Sequence, residues 1–270
     1  WESYGAFFAS SAMLGLCSLS SAFVLPGRHQ LATRGASVRM ATDPGEVWES
    51  YKAVVAATTG YKAAPSMDSA LALCRVAATS READPDTVCE AMLTVEKGMR
   101  DTAKADGGAL SRSTLQSLDG AWRLVFTTGT VDMQSKLGRK IDYFPLRATQ
   151  TFDTRTNAIT NGIYVGSFPL VRFFGSFEWL EERRRVEFDF DRIAVLGLPA
   201  LDLPKGGAEE LGAATGLGAK SNVKRAEEGK KAFFNWISAD AEIATARGGG
   251  GGLALWRRDA EMEAAMRADS

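Results

Sequence analysis

Two hydrophobic periods divide the chain. Between residues 46 and 104 the apolar positions recur at three- and four-residue spacing. Trp48, Tyr51 and Val54/Val55 make one stripe. Met67, Leu71, Cys74 and Ala78 make a second behind Ser66, a good N-cap. In the third, Asp84 precedes Pro85 at the first helical position, and Val88, Met92, Val95 and Met99 share a face. The spacing predicts three helices. Stripes like these either form the inner face of a helical layer or bind a partner. Asp106-Gly107-Gly108 ends the pattern.

From Leu118 to Asp191 the period becomes two. Trp122, Leu124 and Phe126 alternate with Arg123, Val125 and Thr127. Phe152 stands before the turn Asp153-Thr154-Arg155-Thr156-Asn157, and Ile159, Ile163 and Val165 follow it. Phe177 and Trp179 alternate with Ser176, Glu178 and Leu180; Val186, Phe188 and Phe190 alternate with Glu187, Asp189 and Asp191. Short strands with frequent turns predict an antiparallel sandwich or barrel. Nine of the fourteen phenylalanines fall between 122 and 190, so one face of this sheet is aromatic. Pro199 to Lys231 is rich in Gly, Ala and Lys and reads as a long mobile loop, a lid or docking element by one account and plain disorder by another. Phe233, Phe234, Trp236 and Ile237 restart the apolar pattern. A final hairpin runs from Ile243 through Gly248–Gly252 to Leu253–Arg258, followed by a short charged tail.

The first forty residues read as an address. Ser3 to Gly27 carries no charge, and serines dilute its run of Leu14, Leu16 and Leu19, giving a signal-peptide core rather than a membrane span. Small residues at Ser20-Ser21-Ala22 offer a cleavage point. A basic, acid-free stretch with Arg28, Arg34 and Arg39 then leads to a second cut expected near Met40. Ser21-Ala22-Phe23-Val24-Leu25-Pro26 resembles the junction of the two-part plastid presequence of algae with secondary plastids. An ordinary secretory signal with a disordered arm is the other reading.

This division changes what composition implies. The 270 residues hold 32 basic and 33 acidic side chains, 45% hydrophobic and 24% charged residues, and one histidine. Such balance disfavours a nucleic-acid binder. Without residues 1–42 there remain 29 basic and 32 acidic residues, net −3, and His29 is lost. A histidine-free chain has no Ser-His-Asp or Cys-His apparatus and no histidine metal cluster. Cys74 and Cys89, fifteen apart on different predicted helices, read as buried small apolar residues rather than a disulfide or metal pair. Gly248–Gly252 precedes a strand and lacks the lysine and hydroxyl of a phosphate loop.

Leu118-Asp119-Gly120-Ala121-Trp122-Arg123-Leu124-Val125-Phe126-Thr127-Thr128 resembles the opening strand of the plastid lipid-associated proteins, or fibrillins. So do Thr149-Gln150-Thr151-Phe152 with Asn157-Ala158-Ile159-Thr160-Asn161, the strand Val186–Ile193, and the close from Asp240 to Arg258. The resemblance covers about 118–258. It departs at Ile243-Ala244-Thr245-Ala246, where a second arginine is usual, and in the longer glycine turn. It implies an α+β chain whose antiparallel lipocalin-like β-barrel follows a small N-terminal helical region. The divisions expected are a presequence at 1–42, helices at 43–108, the barrel at 109–260 with a flexible insertion at 199–231, and a tail at 261–270. Gly120-Ala121-Trp122 matches the Gly-x-Trp of lipocalins, with the tryptophan plugging one barrel end and Arg247 or Arg257 expected to stack on it.

The resemblance also implies a non-catalytic plastid protein that binds a carotenoid, quinone or acyl lipid at the thylakoid or plastoglobule surface. Its candidate ligand-lining residues are Trp122, Phe126, Phe152, Tyr164, Phe177, Trp179 and Phe188, each with plain core packing as the alternative. The run Phe168-Pro169-Leu170-Val171-Arg172-Phe173-Phe174 would dip into a lipid surface or fill the barrel mouth. Two other functions stay open: an interaction subunit docked on a thylakoid complex such as a photosystem, and a tetrapyrrole-handling lyase. For the enzyme reading, Glu178, Glu187, Asp189 and Asp191 offer carboxylates, but their alternation with Val186, Phe188 and Phe190 puts them outside; it would recover if Glu187 or Asp191 faced inward. No covalent cofactor or metal is expected.

Overall fold

The computed structural model describes residues 66–131, 134–135, 142–208, 210–211 and 220–268. The expected presequence, and the stripe of Trp48, Tyr51 and Val54/Val55, lie outside the described residues, as does the middle of the 199–231 segment. Three helices come first: α1 (Met67–Ser80), α2 (Pro85–Ala105) and α3 (Ala109–Leu118). Nine strands follow: β1 (Gly120–Thr127), β2 (Arg147–Asp153), β3 (Ala158–Val165), β4 (Phe168–Leu180), β5 (Arg185–Val195), β6 (Leu201–Asp202), β7 (Ala232–Ala239), β8 (Ile243–Gly248) and β9 (Leu253–Arg258). A helix α4 (Lys220–Glu227) precedes β7 and a last one, α5 (Ala260–Ala268), ends the described chain.

The strand order is β4-β3-β2-β1-β9-β8-β7-β5-β6, and β4 also pairs with β5. That pairing closes eight strands into an antiparallel barrel and leaves β6 as a flap on the far end of β5. Closure removes the free strand edges that an open sheet would expose. The closing seam bends at a bulge, where Phe174 faces Arg192 but Gly175 faces Phe190. The 199–231 segment thus contributes β6 and α4 among its described residues.

The helical N-termini follow their sequence signals. Ser66 Oγ accepts from Ser69 N, and Asp84 accepts from Thr87 N with Pro85 in the first turn. Val88, Met92 and Val95 of α2 and Leu73, Cys74 and Ala77 of α1 are buried. They pack with Phe126, Ile237, Ile243, Leu253 and Leu255 on the outside of β1, β7, β8 and β9. These stripes are therefore consumed within the chain. Both cysteines are buried and unbridged, and burial pushes the Cys74 thiol up to about 12.

Helix α3 has no apolar stripe strong enough to predict it. Asp106 supplies its start, accepting from Gly108 N and from Leu110 N at 2.9 and 2.7 Å. Leu115 and Leu118 then plug the lower barrel end beside Trp122. No helix among the described residues is long and apolar enough to cross a membrane.

Candidate functional site

The inside of the barrel is the candidate site. A strand directs alternate side chains to opposite faces, so register decides what points inward. In β9, Ala254 and Trp256 face in, while Leu253 and Leu255 join the helical layer. In β8, Ala244 and Ala246 face in; in β7, Ala232, Phe234 and Trp236 do. Small alanines on β8 and β9 leave room for the large rings of neighbouring strands to project into the lumen.

Those rings touch in sequence. Phe177 meets Phe152 at 5.4 Å between centroids, and Phe152 meets Trp236 at 5.7 Å. Trp236 meets Trp256 at 6.4 Å, Trp256 meets Phe234 at 6.5 Å, and Phe234 stacks on Phe188 at 5.4 Å. Phe188 continues to Phe190, and Phe190 to Phe173, at 5.3 and 5.7 Å. Eight rings from five strands thus form one continuous contact path. Edge-on and offset pairs of this kind add about 0.5–1.5 kcal/mol each beyond area burial.

Five of the seven residues nominated from sequence stand in or against this inner cluster: Trp122, Phe152, Phe177, Trp179 and Phe188. Phe126 does not. The β1 register slips between Leu124 and Phe126, which turns Phe126 outward against Tyr143 at 5.5 Å and the helical layer. Tyr164 is also outside. It pairs across the sheet with Arg147, whose guanidinium lies 6.0 Å from its ring and is clamped by Asp259. Trp236, Trp256, Phe234 and Phe190 were not nominated; for Phe234 and Trp236 the usable signal was the period-two spacing after Ala232.

The stack expected on Trp122 is made by a different arginine. Arg258 lies 3.9 Å from the Trp122 ring and donates to Ser117 O and Asp119 O at 2.7 and 2.6 Å. Trp122 Nε1 donates to Leu118 O at 2.9 Å, completing the lower plug. Arg257 is exposed on the outer face. Arg247 instead reaches α2, donating to both carboxylate oxygens of Glu96 at 2.7 and 2.5 Å. That contact holds the Glu96 carboxyl below its ordinary range.

The interior is not uniformly apolar. Gln150 is fully buried, and neither its Nε2 nor its Oε1 has a hydrogen-bond partner among the described residues. Asn161 Oδ1 and the indole nitrogens of Trp179, Trp236 and Trp256 are likewise buried and unmet. The remaining unmet atom, Arg172 Nε, belongs to the outer face by register. Leaving such a group unmet costs about 1–3 kcal/mol, a cost that either a polar ligand atom or an internal water would remove.

Glu178 and Glu187 face each other across the outer surface of the β4–β5 seam, with Ser176 and Asp189 on the next outward rung. Among the described residues no group of three or more His, Cys, Asp or Glu could hold a metal ion.

The exposed start of the 168–174 run lies at the upper end of the barrel. Phe168 is 51% exposed, while Pro169 to Phe174 are half-buried in β4. Val165, Val195, Leu196, Leu198 and Leu201 are exposed beside it. Val171 pairs with Val195, and Leu196 N donates to Leu170 O at 2.9 Å, which joins these turns into one apolar rim.

A protein-family model described as PAP_fibrillin matches residues 97–255, from within α2 to within β9. No curated protein matches the chain. Among solved structures, an NMR structure of a protein from Burkholderia xenovorans aligns at 14% identity, covering 55% of this chain and 88% of that one, with a TM-score of 0.28. A likeness that slight carries no argument.

Proposed function

Because the chain belongs to the PAP_fibrillin family, we propose that it is a plastid lipid-associated protein that holds a hydrophobic small molecule inside its barrel without transforming it. The ligand classes are a carotenoid, a quinone or an acyl lipid, taken up at a thylakoid or plastoglobule surface. One observation carries this reading: the continuous path of eight aromatic rings inside a closed barrel. Barrels of eight strands are wide enough for side chains to fill or for one small ligand, and polarizable ring faces suit conjugated or prenylated molecules.

The outward placement of Glu178 and Glu187 supports binding over turnover, since neither has access to the lumen. The apolar rim of Phe168, Leu196, Leu198 and Leu201 supports loading from a lipid surface, because such patches rarely face bulk water without a partner.

The test is extraction of the natively folded protein from plastid membranes, followed by mass spectrometry of what remains bound. Co-purification of a stoichiometric carotenoid, quinone or acyl lipid is expected. An empty barrel with no affinity for plastid lipids would sink the reading.

A further inference from the structure

Within the proposed lipid-holding barrel, the rungs of the sheet locate the unmet polar groups. Nearest the apolar rim, Ala148, Ile163, Val171 and Val195 are partners across β2, β3, β4 and β5. The next inward rung is Gln150, Asn161, Phe173 and Ile193. Below it come Phe152, Ile159, Gly175 and Phe190. Gln150 and Asn161 are direct cross-strand partners on the lumen face, with an apolar rung above and below. Gln150 also pairs laterally with Trp122 of β1.

Two amide side chains side by side ordinarily bond to each other. These do not: Gln150 Nε2, Gln150 Oε1 and Asn161 Oδ1 all remain without partners among the described residues. The unmet lumen groups are richer in donors than acceptors. One amide NH2 and three indole N–H groups, from Trp179, Trp236 and Trp256, stand against two amide oxygens. A pure hydrocarbon would leave all of them unmet. An acceptor oxygen carried on an apolar skeleton would satisfy donors and still fill the aromatic space.

We infer that the Gln150 amide is a polar anchor inside the barrel, donating from Nε2 to a ligand that bears a carbonyl oxygen on an apolar ring. This rests on the reading that the lumen holds a hydrophobic small molecule, and it narrows that class to oxygenated members. Quinones and ring-ketone carotenoids share the chemistry; unsubstituted carotenes lack it.

The experiment uses a matched pair of probes with the purified chain. Tetramethyl-1,4-benzoquinone and 1,2,4,5-tetramethylbenzene share a carbon skeleton and differ by two carbonyl oxygens. Equilibrium dialysis gives the affinity of each for the wild type, Gln150→Met and Asn161→Val. Methionine keeps the length of glutamine, and far-UV circular dichroism checks folding. Gln150→Met is expected to weaken the quinone about ten-fold while leaving the hydrocarbon within two-fold, as loss of one hydrogen bond to a buried carbonyl would. Asn161→Val is expected to leave the ratio within two-fold of wild type, because the unmet Asn161 Oδ1 is an acceptor and cannot bond a carbonyl oxygen. In the wild type, the infrared carbonyl stretch of the bound quinone is expected to fall relative to its value in hexane, a readout that needs no variant to fold.

If both probes bind and Gln150→Met leaves their ratio unchanged, or the carbonyl stretch does not move, the anchor is overturned. The amides are then met by internal water, and the lipid-holding reading stands. If neither probe binds, the anchor and the lipid-holding reading fall together.

Discussion

Arg258 shows how one residue sets the floor of the barrel. Its guanidinium stacks on Trp122 and donates to Ser117 O, Asp119 O and Glu263 Oε1, tying the end of α3 and the tail helix α5 to the first strand. Its planar fork makes contacts that a lysine ammonium cannot reproduce. Arg258→Leu is expected to cost about 2–4 kcal/mol, the sum of a cation–π contact and charge-assisted hydrogen bonds. Urea titration followed by tryptophan fluorescence measures it, and Arg258→Lys should recover less than half. The sequence showed that a closing-strand arginine should meet Trp122 but pointed to Arg247 or Arg257. Neither can do so: Arg247 and Arg257 share the outer face of their paired strands, and only the register placing Trp122 opposite Arg258 brings the two inward together.

At the scale of elements, charged contacts fasten the helical layer to the barrel: Arg75 of α1 meets Asp240 and Glu242 at the β7–β8 turn, and a more buried clamp holds α2. Glu96 of α2 accepts two hydrogen bonds from Arg247 of β8, with the glutamate side chain only 16% exposed. The folded carboxyl is held low, first by that hydrogen bond, so the folded state keeps Glu96 ionised at lower pH than the unfolded chain does. The clamp's contribution is therefore complete above the ordinary glutamate value of 4.5 and is lost as pH falls through the depressed folded value. Glu96→Gln is expected to cost about 1.5–3 kcal/mol at pH 7. The gap between wild type and variant should close as chemical denaturation is repeated from pH 6 down to pH 3; a gap independent of pH would show that ionisation of Glu96 contributes no stability. Helices α1 and α2 were legible because their apolar residues repeat and their caps are ordinary. Helix α3 was not: four of its ten residues are serine or threonine and glycines precede it, its start is supplied by Asp106 and its burial by the barrel end.

For the whole molecule, closure is the decisive event. Gly175 sits at the β4–β5 bulge, where an added Cβ would lie 1.9 Å from Asp189 O. Backbone cannot yield there as a flexible side chain would. Gly175→Val is expected to open the seam and cost about 3 kcal/mol or more, seen as a lower urea midpoint and loss of amide exchange protection in β4 and β5 with α1 and α2 less affected. Equal loss across all elements would mean that the helices depend on a closed barrel. The apolar rim makes a separate prediction. Phe168→Asp with Leu198→Asp should reduce flotation with galactolipid and phosphatidylglycerol vesicles at least ten-fold, since each change removes about 1.5–3 kcal/mol of apolar transfer. It should leave the urea midpoint close to wild type, because both residues are more than half exposed.

The sequence by itself determined which residues share a face wherever a strand keeps an unbroken pleat, and which stripes bury each of α1 and α2. Those follow from local geometry, a period of two or of about 3.6, and from caps such as Ser66 and Asp84. It also determined the aromatic character of the surface that became the lumen. Only the tertiary structure decided which face is inside. Phe126 left the lumen because one bulge in β1 shifts the pleat, and Trp236 and Trp256 entered it because β7 and β9 pair with neighbours distant in sequence. Inside and outside are properties of closure through long-range hydrogen bonds, and a register shift of one residue reverses them.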